Sequence, residues 1–135
     1  MVLMRELLIG ETRQEAFDRC SAGLLAQYRY YRQNGAFNPE HETWMAQVQE
    51  AHELTWELLA RDRVIWGAPE ECAEQLRHWC VALDCSHVQV TVPHRRAAHA
   101  VLHSTKTGSG KTGWTRAGQL AAIRLIGDRL LPALR

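Results

Sequence analysis

The sequence predicts an α/β domain built on a parallel sheet, and three observations carry that expectation. Short β-type apolar runs alternate with longer stretches whose apolar residues recur every three or four positions. Cap and turn residues separate the two kinds of segment. The chain has 135 residues, enough for one compact domain and too few for two.

The first apolar run is Leu3 to Ile9, broken only by Arg5-Glu6 and closed by Gly10. It reads as a strand feeding a helix. Thr12-Arg13-Gln14-Glu15 fits a capping box, with the Thr hydroxyl and the Glu carboxylate exchanging bonds with backbone N–H groups. Ala16, Phe17, Cys20, Leu24, Tyr28 and Tyr31 then mark one helical face. Asn34-Gly35 supplies the stop.

A second helix is expected over 39–60, opened by Asn38-Pro39-Glu40 and buried through Trp44, Val48, Ala51, Thr55 and Leu58. Val64-Ile65-Trp66 is a brief strand closed by Gly67. Pro69-Glu70-Glu71 opens the next helix, whose face is Cys72, Leu76, Trp79, Cys80 and Leu83. His87 to Val92 alternates polar and β-branched residues, as a strand does, and Pro93 ends it. Residues 94–103 suit a short helix, and 104–113 are loop by composition. The last amphipathic helix carries Leu120, Ile123, Leu125, Ile126, Leu130 and Leu131 and stops near Pro132.

Composition narrows the function classes. With 46% hydrophobic and 23% charged residues the chain is neither disordered nor fibrous. No apolar run reaches the ~18 residues of a membrane span, and the charged N-terminus is unlike a secretory leader, so a cytoplasmic chain is expected. Net charge is +1, against a general polyanion binder. The charge is uneven, however. Residues 93–116 hold Arg95, Arg96, Lys106, Lys111 and Arg116 without one acid, so this basic, Gly-containing insertion is +5 and the rest −4.

Within that insertion, Gly108-Ser109-Gly110-Lys111-Thr112 spells the second half of a phosphate-binding loop. The full pattern wants Gly where Thr105 stands, an immediately preceding strand and room for a downstream acidic strand. Nucleotide hydrolysis is therefore not expected. A flexible basic loop and a simple phosphate cradle both stay open. Nucleic-acid binding is disfavoured because Trp114 is the segment's one aromatic residue for stacking. Cys80, Cys85 and His87, with His78 nearby, invite a zinc reading that needs four ligands, but Cys72 and Cys80 fit the apolar helix face and His87 begins a strand, so no metal is expected. No nucleophile–base constellation can be assembled, and no catalytic residue is assigned. Glu11, just past the first strand, is a candidate pocket residue.

Taken together, several stretches resemble luciferase-like monooxygenases. Arg5 to Thr12 with Glu15-Ala16 resembles that family's "REvyVAeT..eA" stretch, and Arg61 to Glu71 its "dR.ivGtPeev" stretch. His87 to Val90 looks like its last barrel strand, and Ile126 to Arg135 like its C-terminal "gerVlPalR" ending. The likeness covers roughly residues 3–92 and 117–135. Ala68 replaces the Thr or Ser usual before the Pro, and 93–116 has no counterpart.

The resemblance implies a partial (β/α)8 barrel of about three parallel βα units plus an extra helix, a whole barrel needing ~250 residues. It implies FMN or a deazaflavin as cofactor, with the phosphate held by Gly108, Ser109, Gly110, Lys111 and Thr112 after the last strand. The activity would be that of an oxidoreductase, working only when a complementing N-terminal barrel polypeptide or a second copy completes it. A homo-oligomer is expected because an open sheet has edges to cover. The alternative is a truncated, non-catalytic paralogue serving as an assembly or anion- or nucleic-acid-binding module.

Overall fold

The computed structural model describes residues 2–37, 42, 44, 46–92 and 115–135. Three parallel strands form one sheet in the order β2-β1-β3: β1 is Val2–Ile9, β2 is Val64–Gly67 and β3 is His87–Thr91. The pairing is staggered. Glu6 to Ile9 lie beside Val64 to Gly67, whereas Val2 to Glu6 lie beside His87 to Thr91. Four helices cover the sheet: α1 (Arg13–Gln33), α2 (Trp56–Asp62), α3 (Pro69–Ala82) and α4 (Arg116–Leu125). Beyond α4 the chain runs through a π-helical turn, Ile126–Leu130, into one α-turn, Leu131–Ala133.

Each sheet face has its own core. Leu7, Ile9 and Ile65 pack on one face with Cys72, Ala73 and Leu76 of α3 and Ala122, Leu125 and Leu130 from the C-terminal helix. Leu8 and Val64 pack on the other with Leu24 and Tyr28 of α1, Trp56 and Leu59 of α2, and Val48 and Leu54 of the connection. Helices α1 and α3 thus lie on opposite faces, which makes three layers. The α/β class and the three parallel strands are as expected. The order is not that of a barrel arc, where three consecutive units would place β2 between β1 and β3. No closure into a barrel occurs among the described residues.

Local chemistry explains the elements. Thr12 Oγ1 accepts the Glu15 N–H at 3.1 Å and caps α1. The Glu15 carboxylate reaches back to the N–H of Glu11, one residue before the expected amide. At the far end Gly35 sits at φ +66°, and the Ala36 N–H bonds the Tyr31 carbonyl, the left-handed stop that Asn34-Gly35 predicts.

The expected helix over 39–60 is the main error of sequence reading. Its opening residues 38–41 lie outside the described residues. Of the remainder, Ala51–Glu53 is a 3-10 turn and α-helix begins only at Trp56. Thr55, assigned to a buried stripe, is instead the cap, accepting the Leu58 N–H. Two arginines of α1 hold the connection open. Arg32 donates to the carbonyls of Val48 and Gln49, and Arg29 to those of His52 and Leu54. These carbonyls are satisfied across the fold, so continuing the helix would gain little.

The two outer edges of the sheet differ. At β2, the Gln75 side chain from α3 accepts the Trp66 N–H at 3.2 Å and donates to the Trp66 carbonyl at 2.7 Å. One side-chain amide thereby does what a neighbouring strand would do. At β3, β1 is the one strand neighbour, and no hydrogen bond from another described residue reaches the outer side.

Candidate functional site

The sheet order creates a place for a ligand. Residues leaving β1 enter α1 on one face, while α4 packs on the other. Open parallel sheets bind ligands outside the carboxyl ends of their strands, where connections diverge in this way. The stagger enlarges the place, since β3 pairs no further than Glu6 and leaves Leu7 to Ile9 of β1 extending past it.

A crevice of about 360 Å³ opens there between α1 and α4, lined by Glu11, Glu15, Arg19, Arg124, Asp128 and Arg129 over Ala121 and Leu125. The β1–α1 turn that forms one side is tight. A Cβ on Gly10 would stand 2.7 Å from the Ala16 nitrogen. The π turn shapes the other side: the Leu131 N–H bonds the Ile126 carbonyl, five residues back. Such an inserted residue often marks a functional position.

Arg129, on that π turn, bridges two acids. It donates to Glu11 at 2.8 Å and to Glu70, at the start of α3, at 2.7 Å. This contact holds the Glu70 carboxyl below the usual carboxylate range. All three side chains are open to water, so the bridge orients the rim and adds little stability. Glu15 is bound on both sides, to the Glu11 N–H and to Arg19. Two of the three acids lining the crevice are therefore occupied.

The cations are not all matched. The Arg19 side chain is only 18% exposed, and its Nη1 is buried with no acceptor among the described residues. No carboxylate among them forms an ion pair with Arg124. An unsatisfied buried guanidinium nitrogen is costly, and a ligand acceptor would relieve that cost. Arg124 is the lining cation left to meet an anionic oxygen among the described residues, and Asp128 is the lining carboxylate left to oppose it. The arrangement offers no nucleophile paired with a base, and no described group of three His, Cys, Asp or Glu side chains could hold a metal.

Of the residues singled out by sequence, Glu11 lies in this crevice, tied to Arg129. Gly108, Ser109, Gly110, Lys111 and Thr112 lie outside the described residues, as does the expected helix over 94–103. The described residues resume at Thr115, whose hydroxyl caps α4. Sequence reasoning missed Arg19, Arg124 and Arg129. The Glu15–Arg19 spacing of four was a legible signal for one of them, but nothing in the linear pattern brings α4 to α1.

Scanned against protein-family models, curated proteins and solved structures, the chain matches none. No helix among the described residues is long and apolar enough to cross a membrane.

Proposed function

We propose that the crevice between α1 and α4 seats the phosphate end of FMN or a deazaflavin. On this reading the chain is the cofactor-holding portion of a flavin-dependent oxidoreductase, luciferase-like in its sequence stretches but not in its strand order, completed at the β3 side by a partner polypeptide or a second copy. The observation that carries it is the buried, unsatisfied Nη1 of Arg19 beside Arg124, at the carboxyl end of a parallel sheet. A phosphate monoester would supply the missing anionic oxygens once the Arg19 guanidinium turns into the crevice. Arg19 and Arg124 are the described residues that would hold it, with Gly108 to Thr112, between β3 and α4 in the sequence, as the further candidates. The bound flavin would supply two-electron redox chemistry, and the protein positions and shields it. A space of about 360 Å³ is at the small end for cofactor pockets, so it suits the phosphate and its tail. The ring then needs a further surface, which is why completion belongs to the proposal.

The central position of β1 favours a second reading, in which the chain is a separate, non-catalytic anion-binding or assembly module. One titration separates the two. FMN, riboflavin, a phosphorylated deazaflavin and inorganic phosphate are added to the full chain, and flavin fluorescence and calorimetric heat are followed. The first reading expects FMN or the deazaflavin to bind at least tenfold tighter than riboflavin, and Arg19→Gln to remove that preference (about 1.5–3 kcal/mol for a charge-assisted bond). Equal binding of FMN and riboflavin, or none, overturns it. Phosphate binding without flavin binding selects the second reading.

A further inference from the structure

The two sheet edges are treated differently, and that difference carries an inference independent of the flavin reading. Trp66 on β2 has both backbone groups met by Gln75, so that edge is closed to another strand. β3 has no such cover among the described residues. It also carries none of the side chains that deter edge pairing: His87-Val88-Gln89-Val90-Thr91 contains no Lys, Arg, Asp, Glu or Pro. Four of its five residues are exposed, and Val88 is 36% exposed.

We propose that β3 is a self-association edge, pairing antiparallel with β3 of a second copy about a two-fold axis at Gln89. The occupant follows from two features. A head-to-tail contact would join β3 of one copy to β2 of the next and grow a filament, but Gln75 closes β2. The isologous contact uses β3 alone and stops at two copies. Its register is also free of conflict. Gln89 meets Gln89 of the second copy, Val88 meets Val90, and His87 meets Thr91, with no like charges opposed. The product is one six-stranded sheet, an ordinary size, with α1 and α2 of both copies on one face. Five-residue edge pairing makes a small interface, so a weak, concentration-dependent dimer is expected.

The test is sedentation-equilibrium mass measurement (analytical ultracentrifugation) of the full chain from about 1 to 100 µM, the range of a weak complex. Wild type should approach twice its 15.4 kDa mass as concentration rises. Gln89 and Thr91 are exposed, so charge there leaves the cores untouched. A Gln89→Lys, Thr91→Lys variant and a Gln89→Glu, Thr91→Glu variant should each dimerise about tenfold more weakly. An equimolar mixture of the two should recover dimer, because opposite charges then meet across the axis. That recovery also shows both variants to be folded. A wild-type monomer throughout, a dimer indifferent to both variants, or a mixture no better than its components overturns the proposal. So does polymer growth beyond two, which would mean that β2 is open.

Discussion

Gln75 offers the sharpest check on how this sheet is kept intact. Its side chain makes two bonds to the backbone of Trp66 and one to the Glu71 carbonyl at 3.1 Å. The Glu71 carbonyl is a helix acceptor in its own right, so losing that bond matters little. The two at Trp66 are the β2 edge. At about 1 kcal/mol net per neutral bond, Gln75→Ala should cost about 2 kcal/mol, less a few tenths regained from the better helix propensity of Ala. For a chain of this size that is a fall in Tm of roughly 5–8 °C. Gln75→Glu keeps an acceptor for the Trp66 N–H but sets a carboxylate oxygen against the Trp66 carbonyl, so it should cost at least as much as Gln75→Ala. Urea unfolding of the three proteins gives the energies, and amide hydrogen exchange at Trp66 reports the bond itself. If Gln75→Ala unfolds within about 0.5 kcal/mol of wild type, and Trp66 exchanges no faster, the side-chain strand is not what protects β2.

Three further outcomes are expected. Gly67 lies at φ +133°, and a Cβ there would stand 2.5 Å from Glu71 Oε2, so Gly67→Ala should destabilise by about 1–3 kcal/mol in urea unfolding. Helix α3 begins at Ala68 with no side-chain cap, although Glu71 still accepts the Ala68 N–H at 2.8 Å; Ala68→Ser should add about 1 kcal/mol and raise Tm. Burial pushes the Cys72 thiol up to about 12 and the Cys20 thiol up to about 11, from an ordinary 9.0, and pushes the buried Tyr28 phenol up as well. Because the folded values are raised, the protonated forms are favoured by folding. Their contribution is whole below pH 9 and is lost as pH climbs through about 11 to 12. Unfolding free energy measured in buffers across that window should fall, and Cys72→Ala should flatten part of the slope.

Much of the fold was legible because local signals agreed with it. Thr12, Asn34-Gly35 and Pro69 each mark a boundary that the structure keeps. The core faces of α1 and α3 also fall where periodicity puts them, with Leu24, Tyr28, Cys72 and Leu76 all buried. Reading failed where a tertiary contact outbid a local pattern. Trp44, Val48 and Ala51 have helical spacing, but Arg29 and Arg32 take the carbonyls between Val48 and Leu54 from across the fold. In the last amphipathic helix, Leu120 and Ile123 share the apolar spacing yet are 49% and 58% exposed. The residues that face the core are Ala122, Leu125 and Leu130. Between Leu125 and Leu130 the π turn adds a residue that a period of 3.6 does not anticipate. The crevice was nearly illegible, since its donors come from helices about a hundred residues apart in the chain.

The strand order was written in the sequence in a form that alternation alone does not reveal. A strand covered on both faces reads as a continuous apolar run, and one with an open face alternates. Leu7-Leu8-Ile9 are consecutive and all buried, Leu7 and Ile9 against α3 and Leu8 against α1 and α2. His87-Val88-Gln89-Val90-Thr91 puts its valines on one side, and only Val90 is half-buried. The first run therefore belongs in the middle of a sheet and the second at its rim, whatever their order along the chain. That inference places β1 between its partners. With it, α1 after β1 and α4 after β3 lie on opposite faces, and the crevice that Arg19 and Arg124 line lies between them. The same inference leaves β3 as the edge without a cover among the described residues. One contrast in hydrophobic pattern thus underlies both proposals, the anion-binding crevice and the self-association edge.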